Sequence, residues 1–251
     1  MIQKNNSGVM VYLILFIAGI MIVPMFSSCG KGEGVSSSNN NARLGVVNLS
    51  PDVLPFKLYG RYIVQGTNSY SYPFASSYTL INVADTPIQI RTAQTANNVN
   101  PTNLLTLTGG LLRNTPYTLF VMGLLKDNSL TSVLTVDTSS LPANGRGKIR
   151  LVNGITNVPS GINLTLNDTT AFRKVNFKGN TQFIEVTAGT YNINIVPNNN
   201  PTKPLTGLTN FTILDGKMYT IFSYGLSSST SDSVSYGINT ILNTLPPNTR
   251  Y

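Results

Sequence analysis

The chain is 251 residues long, with 17 Lys and Arg against 9 Asp and Glu, no histidine and one cysteine. The missing histidine removes the commonest general base and metal ligand, and the carboxylates are scattered, with no D-x-D-x-D loop and no close acid pair. No catalytic residue, metal ligand or cofactor is therefore expected, and the excess of +8 reflects scarce acids rather than a basic run, which disfavours nucleic acid as a partner.

The first element is an apolar run from Val9 to Phe26, preceded by Lys4, interrupted by Gly19 and Pro24, and closed by Ser27-Ser28-Cys29. This is the layout of an export signal. It resembles a bacterial lipoprotein signal over residues 1–28. In that family cleavage falls before the cysteine and the new terminus is acylated, so the resemblance implies lipidation at Cys29 and a membrane partner through that anchor. Ser28 supplies the small residue needed before the cut, while Phe26 is bulkier than the usual leucine. The competing reading is an uncleaved membrane-spanning helix, since the run approaches the ~20 residues that cross a bilayer. Gly30 in place of aspartate after the cysteine favours the outer membrane by analogy with the enterobacterial sorting rule. Residues 29–41 then read as a tether (CGKGEGVSSSNNN), small and polar, with a coil span of roughly 20 Å.

The remainder holds a tandem repeat. Leu44-Gly-Val-Val-Asn48 aligns with Ile149-Arg-Leu-Val-Asn153, and Tyr117-Thr-Leu-Phe120 aligns with Tyr219-Thr-Ile-Phe222. The expected modules are 42–140 and 146–242, joined through Thr138 to Gly147 (TSSLPANGRG) and followed by a tail at 243–251.

Each module consists of short runs rich in Val, Ile, Thr, Tyr and Phe separated by Gly, Pro, Asn and Asp. In the second, strands are predicted near 148–153, 162–167, 172–177, 182–187, 190–196, 208–214 and 217–226, with an edge candidate at 233–240. About seven strands per module is the pattern of an immunoglobulin-like antiparallel β-sandwich. The fold class is thus all-β, two such sandwiches in tandem. Tyr117 and Tyr219 open late strands and are placed to form the corner hydrogen bond of such folds.

Arg43-Leu-Gly-Val-Val-Asn-Leu-Ser-Pro-Asp52 with Leu54-Pro-Phe-Lys-Leu-Tyr59 resembles the opening of the domain-of-unknown-function family 4397, and Gly216-Lys-Met-Tyr-Thr220 resembles its Gly-x-x-Tyr-Thr ending. The second module carries Gly154-Ile-Thr-Asn157 where the first has Ser50-Pro51-Asp52. The resemblance implies tandem Ig-like bacterial proteins, secreted or lipid-anchored, with no assigned reaction.

Two surfaces are candidates for binding. Arg146, Lys148 and Arg150 alternate and so share one strand face, where they are expected either to meet an anionic envelope glycan or to form a solvated, charge-guarded edge. Tyr70 and Tyr72, within an aromatic cluster of Phe56, Tyr59, Tyr62, Phe74 and Tyr78, are expected either to stack on a sugar ring or to pack in the core. The expected role is a non-enzymatic, lipid-anchored cell-envelope protein at the outer membrane whose modules bind an envelope glycan or protein or act as a spacer. The alternative is a subunit or anchor of a surface fibre, with Arg43 as a maturation cut after the tether.

Overall fold

The computed structural model describes residues 40–93, 100–107, 109–226 and 235–243. Cys29, the leader and all but the end of the tether lie outside the described residues. Residues Asn39–Tyr251 form one compact unit.

The first sandwich contains β1 (Asn41–Asn48), β2 (Phe56–Gly60), β3 (Ile63–Val64), β4 (Phe74–Ala75), β5 (Thr79–Asn82), β6 (Ile88–Thr92), β7 (Asn103–Leu107), β8 (Pro116–Met122) and β9 (Thr131–Val136). The second contains β10 (Arg146–Asn153), β11 (Ile162–Leu166), β12 (Thr169–Val175), β13 (Ile184–Thr187), β14 (Gly189–Pro197), β15 (Thr206–Ile213), β16 (Met218–Tyr224) and β17 (Gly237–Leu242). The edge candidate near 233–240 is β17. The described strands thus form tandem all-β sandwiches, as the punctuation by turn residues indicated.

Each sandwich has two sheets. In the first, β4 and β5 pair in succession along β1, which continues to β8 and β9, while the other sheet runs β3-β2-β6-β7. The second repeats this plan as β13-β10-β16-β17 and β12-β11-β14-β15. One neighbouring pair per sandwich is parallel: β1 with β8, aligning Leu44 with Tyr117, and β10 with β16, aligning Ile149 with Tyr219. This strand order differs from the ABED/CFG order of a constant-type immunoglobulin domain.

Alternation along the strands fixes the cores. Leu44, Val46, Phe56, Leu58, Ile88, Ile90, Leu119 and Val121 point between the first two sheets, and Ile149, Leu151, Leu164, Ile193, Ile195 and Ile221 between the second two. Burying one such side chain contributes about 1.5–3 kcal/mol over leaving it exposed. Strand β8, however, is buried at every position. Strands covered on both faces read as continuous apolar runs, and the second cover for β8 is the other sandwich. Val47, Leu49, Phe120 and Met122 from the first pack with Val152 and Phe222 from the second as a third apolar cluster. Phe120 and Phe222 occupy equivalent repeat positions and meet with centroids 5.9 Å apart. The sheets containing β1 and β10 are therefore the inner sheets of a four-layer body.

Gly154 marks how close this approach is. A Cβ there would lie 2.7 Å from Leu49 Cδ1 and 2.7 Å from the Ser223 carbonyl oxygen, so only glycine lets the seam close. Arg43 sits within β1, paired to Leu80 on one side and Pro116 on the other. It is thus not part of the tether, and cleavage after it would remove three residues from a strand bonded on both edges.

Candidate functional site

The inner end of each first strand is organised by an asparagine. Asn48 Nδ2 donates to the Tyr70 carbonyl (3.2 Å) while its Oδ1 accepts the Ser50 N–H (3.0 Å). Asn153 repeats both bonds, to Val175 O (2.9 Å) and from the Ile155 N–H (2.9 Å). The corner tyrosines are present in both sandwiches with the hydroxyl accepting: the Leu112 N–H donates to Tyr117 Oη and the Leu214 N–H to Tyr219 Oη. Ser50 and Asp52 tie the β1 exit to the turn after β8. Ser50 Oγ donates to Gly123 O, and the Asp52 carboxylate accepts the Leu125 and Lys126 N–H groups at 2.9 Å each. Asp52 is therefore a turn-capping aspartate.

The alternating cations go elsewhere than a ligand surface. Arg146, Lys148 and Arg150 do share a face of β10, opposite the core face of Ile149 and Leu151, but that face is the seam. Only Arg146 is exposed. Lys148 is buried, and its Nζ donates to Ser140 O and Oγ at 2.7 Å each and to Ser139 Oγ at 3.2 Å, pinning the segment between the sandwiches. Glu185 Oε1 lies 3.8 Å from the same amine.

Arg150 is the centre of a buried polar cluster. Its Nη2 donates to Asp137 Oδ1 and to Thr135 Oγ1 (2.9 Å), Nη1 to the Val136 carbonyl (2.8 Å), and Nε to Thr220 Oγ1 (2.8 Å). Asp137 also accepts from Thr118 Oγ1 (2.5 Å), Thr135 Oγ1 (3.1 Å) and Tyr78 Oη (2.6 Å). Asn243 closes the cluster by donating to Tyr78 Oη (3.2 Å) and accepting from Thr220 Oγ1 (2.5 Å). The Phe183 ring lies 4.6 Å from the guanidinium carbon. Burial pushes the Arg150 guanidinium below its ordinary pKa, against the pull of Asp137. It also pushes the Tyr78 phenol above its ordinary value, reinforced by the Asp137 charge. The cluster joins the sandwiches, and burial of both Arg150 and Asp137 keeps it out of reach of a ligand in solution.

The tyrosine expectation also changes. Tyr70 is 1% exposed and packs on Phe56 in the first core with centroids 5.5 Å apart, so it cannot meet a sugar. Tyr72 does not share an extended strand with it but turns toward the second sandwich, edge-on to Tyr224 at 5.8 Å. Burial, then the Tyr224 charge, pushes its phenol up to about 12. Core and seam packing won over display because these rings cover apolar neighbours.

A solvent-facing cluster lies on the outer sheet of the first sandwich. Arg91 on β6 has its guanidinium carbon 5.1 Å from the Tyr59 ring centroid and 5.6 Å from that of Tyr62. Gln89 Oε1 accepts from its Nε (3.1 Å) and Nη2 (2.8 Å). The aromatic grouping in the sequence contained Tyr59 and Tyr62, but nothing local linked them to Arg91, which the β2–β6 register supplies.

Among the described residues no three His, Cys, Asp or Glu side chains gather as a metal site. The fold defines a class: tandem β-sandwich proteins fused through their inner sheets. The chain belongs to the family described as Domain of unknown function (DUF4397), whose model matches residues 42–160 and 158–236. No curated protein matches the chain.

Proposed function

We propose that this is a non-enzymatic, lipid-anchored protein of the bacterial cell envelope, attached through Cys29 at the outer membrane, in which the two sandwiches act as one binding and spacer body. The observation that carries the reading is the seam. Two modules joined only by the flexible composition of TSSLPANGRG would move as beads, whereas the apolar cluster and the Arg150 cluster bury both inner sheets against each other. Such a body holds the surfaces of its two sandwiches in one fixed arrangement at the end of the tether. The leader ending in Cys29 and the small polar residues after it supply the attachment. Absence of histidine and the capping role of Asp52 support a non-catalytic role.

Metabolic labelling with a palmitate analogue tests the anchor. The wild-type protein is expected to label and Cys29→Ala to lose the label. Intact-mass analysis of the same preparation is expected to show a chain starting at acylated Cys29. A mature chain starting at Leu44, or labelling that survives Cys29→Ala, overturns the reading in favour of processing for assembly or an uncleaved span.

A further inference from the structure

We propose that the outer face of the β3-β2-β6-β7 sheet is a binding site for a carboxylated polysaccharide, with Arg91 gripping the carboxylate and Tyr59 and Tyr62 packing on the sugar rings. The charge on this face is the first argument. Lys57 on β2 stands directly across from Arg91 on β6. Like charges in opposed strand positions are destabilising, and strands β2, β3, β6 and β7 contain no Asp or Glu to relieve them. Arg61 in the adjacent turn adds a third cation. An anion lying across β2 and β6 removes the repulsion.

The geometry of Arg91 is the second. Its Nε and one Nη2 hydrogen are held by a neutral amide, Gln89, which is itself buried. The plane is fixed without neutralisation. The outward Nη1 and Nη2 edge keeps the parallel donors that suit a carboxylate, and the Tyr59 and Tyr62 rings stand beside the guanidinium.

The hairpin that delivers Tyr62 is the third. The β2–β3 loop has two residues, Arg61 and Tyr62, with φ of 46° and 69°. Both left-handed values define a type I′ turn, which favours Asn, Asp or Gly. The equivalent loop of the second sandwich uses Asn167 and Asp168 at 44° and 67°. Bulky residues in that region carry a backbone cost, and here the result is a tyrosine 63% exposed beside Arg91. The corresponding sheet of the second sandwich presents neutral Asn163, Thr165, Asn192 and Asn194 on β11 and β14, and its cations Arg173 and Lys174 lie on the edge strand β12 with no exposed aromatic ring beside them. The two outer sheets are therefore not interchangeable, and only the first combines cations with exposed rings. A sugar polymer fits this combination because its ring C–H faces pack on aromatic faces while its carboxylates recur along the chain.

The inference rests on the binding part of the proposed function and not on the anchor, so its failure leaves the palmitate result untouched. The test is affinity electrophoresis of full-length protein in neutral detergent through gels containing alginate, neutral dextran or single-stranded DNA. Retardation by alginate alone is expected. Arg91→Gln and Tyr62→Ser are each expected to weaken it at least tenfold while the protein stays folded with a cooperative melting transition, and Arg91→Lys to weaken it by an intermediate amount because charge remains but the fork is lost. No retardation by alginate, equal retardation by DNA, or an Arg91→Lys protein that binds like wild type overturns the proposal. Should Arg91→Gln fail to fold, Tyr62→Ser alone decides, since its side chain is exposed.

Discussion

The Arg150 guanidinium of the second sandwich donates to the Asp137 carboxylate of the first, and both side chains are buried. The repeat makes this pair one-sided. Gly45 occupies the position equivalent to Arg150, and Asn243 the position equivalent to Asp137, each bonding the backbone carbonyl that opens the neighbouring strand (Asp137 N to Pro116 O, Asn243 N to Met218 O, both 2.8 Å). Removing one partner leaves an uncompensated buried charge, which typically costs about 3–5 kcal/mol. Arg150→Met and Asp137→Leu are each expected to lower stability by that order in urea denaturation, and the double variant Arg150→Met/Asp137→Leu to recover a large part of it. Additive losses in the double-mutant cycle would show that the pair is not the coupling element.

The equivalent asparagines support a second prediction. Asn48→Ala and Asn153→Ala each remove the acceptor of one buried N–H and one donor to a buried carbonyl, at about 1–3 kcal/mol for an unsatisfied group. Asn48→Asp is expected to be no better, because a carboxylate cannot donate to Tyr70 O. Equilibrium denaturation of these variants beside Asn103→Ala, an exposed control expected within about 0.5 kcal/mol of wild type, checks the claim; equal stability of all four proteins would refute it.

Tyr72 and Tyr78 make stability fall at alkaline pH. Their phenols ionise near 10.0 when unfolded, and burial raises both in the folded protein, Tyr72 to about 12 and Tyr78 further. A raised value means the folded state holds protons that the unfolded state has released. The contribution is complete below pH 10 and declines as pH climbs toward 12. The urea midpoint is expected to drop between pH 10 and 12, and Tyr72→Phe to flatten that slope without lowering stability at pH 8, because Tyr72 Oη has no hydrogen-bond partner among the described residues. A midpoint independent of pH across this window would be the contrary result.

The strands were readable because turn residues and period-two alternation are local properties. Tyr191-Asn-Ile-Asn-Ile195 shows its two faces in the sequence itself, and Tyr117 and Tyr219 announced their corner. The repeat was equally plain in Leu44–Asn48 and Ile149–Asn153. What alternation cannot reveal is the identity of the medium beyond a face. Arg146, Lys148 and Arg150 were correctly grouped, yet whether that face meets water or protein depends on sheet-on-sheet packing across the chain. A clue was present in Pro116–Met122, where no polar alternation appears beyond Thr118 and both faces are therefore covered. Asp137 sat beside linker-like residues and counted only among the scattered carboxylates. Arg91 and Tyr62 lie far apart in sequence and meet only through the β2–β6 register.

The parallel register of β1 and β8 has a mechanical consequence. Everything N-terminal to Asn41 enters the folded body through β1, whose residues Arg43 to Asn48 align with Pro116 to Val121 while β5 and β4 hold the opposite edge. Tension applied from that end runs along the strand and across its hydrogen bonds. The bonds must then yield together in shear instead of opening one at a time like a zipper. A body pulled from that terminus would resist detachment at the strand on which both its core and its seam depend.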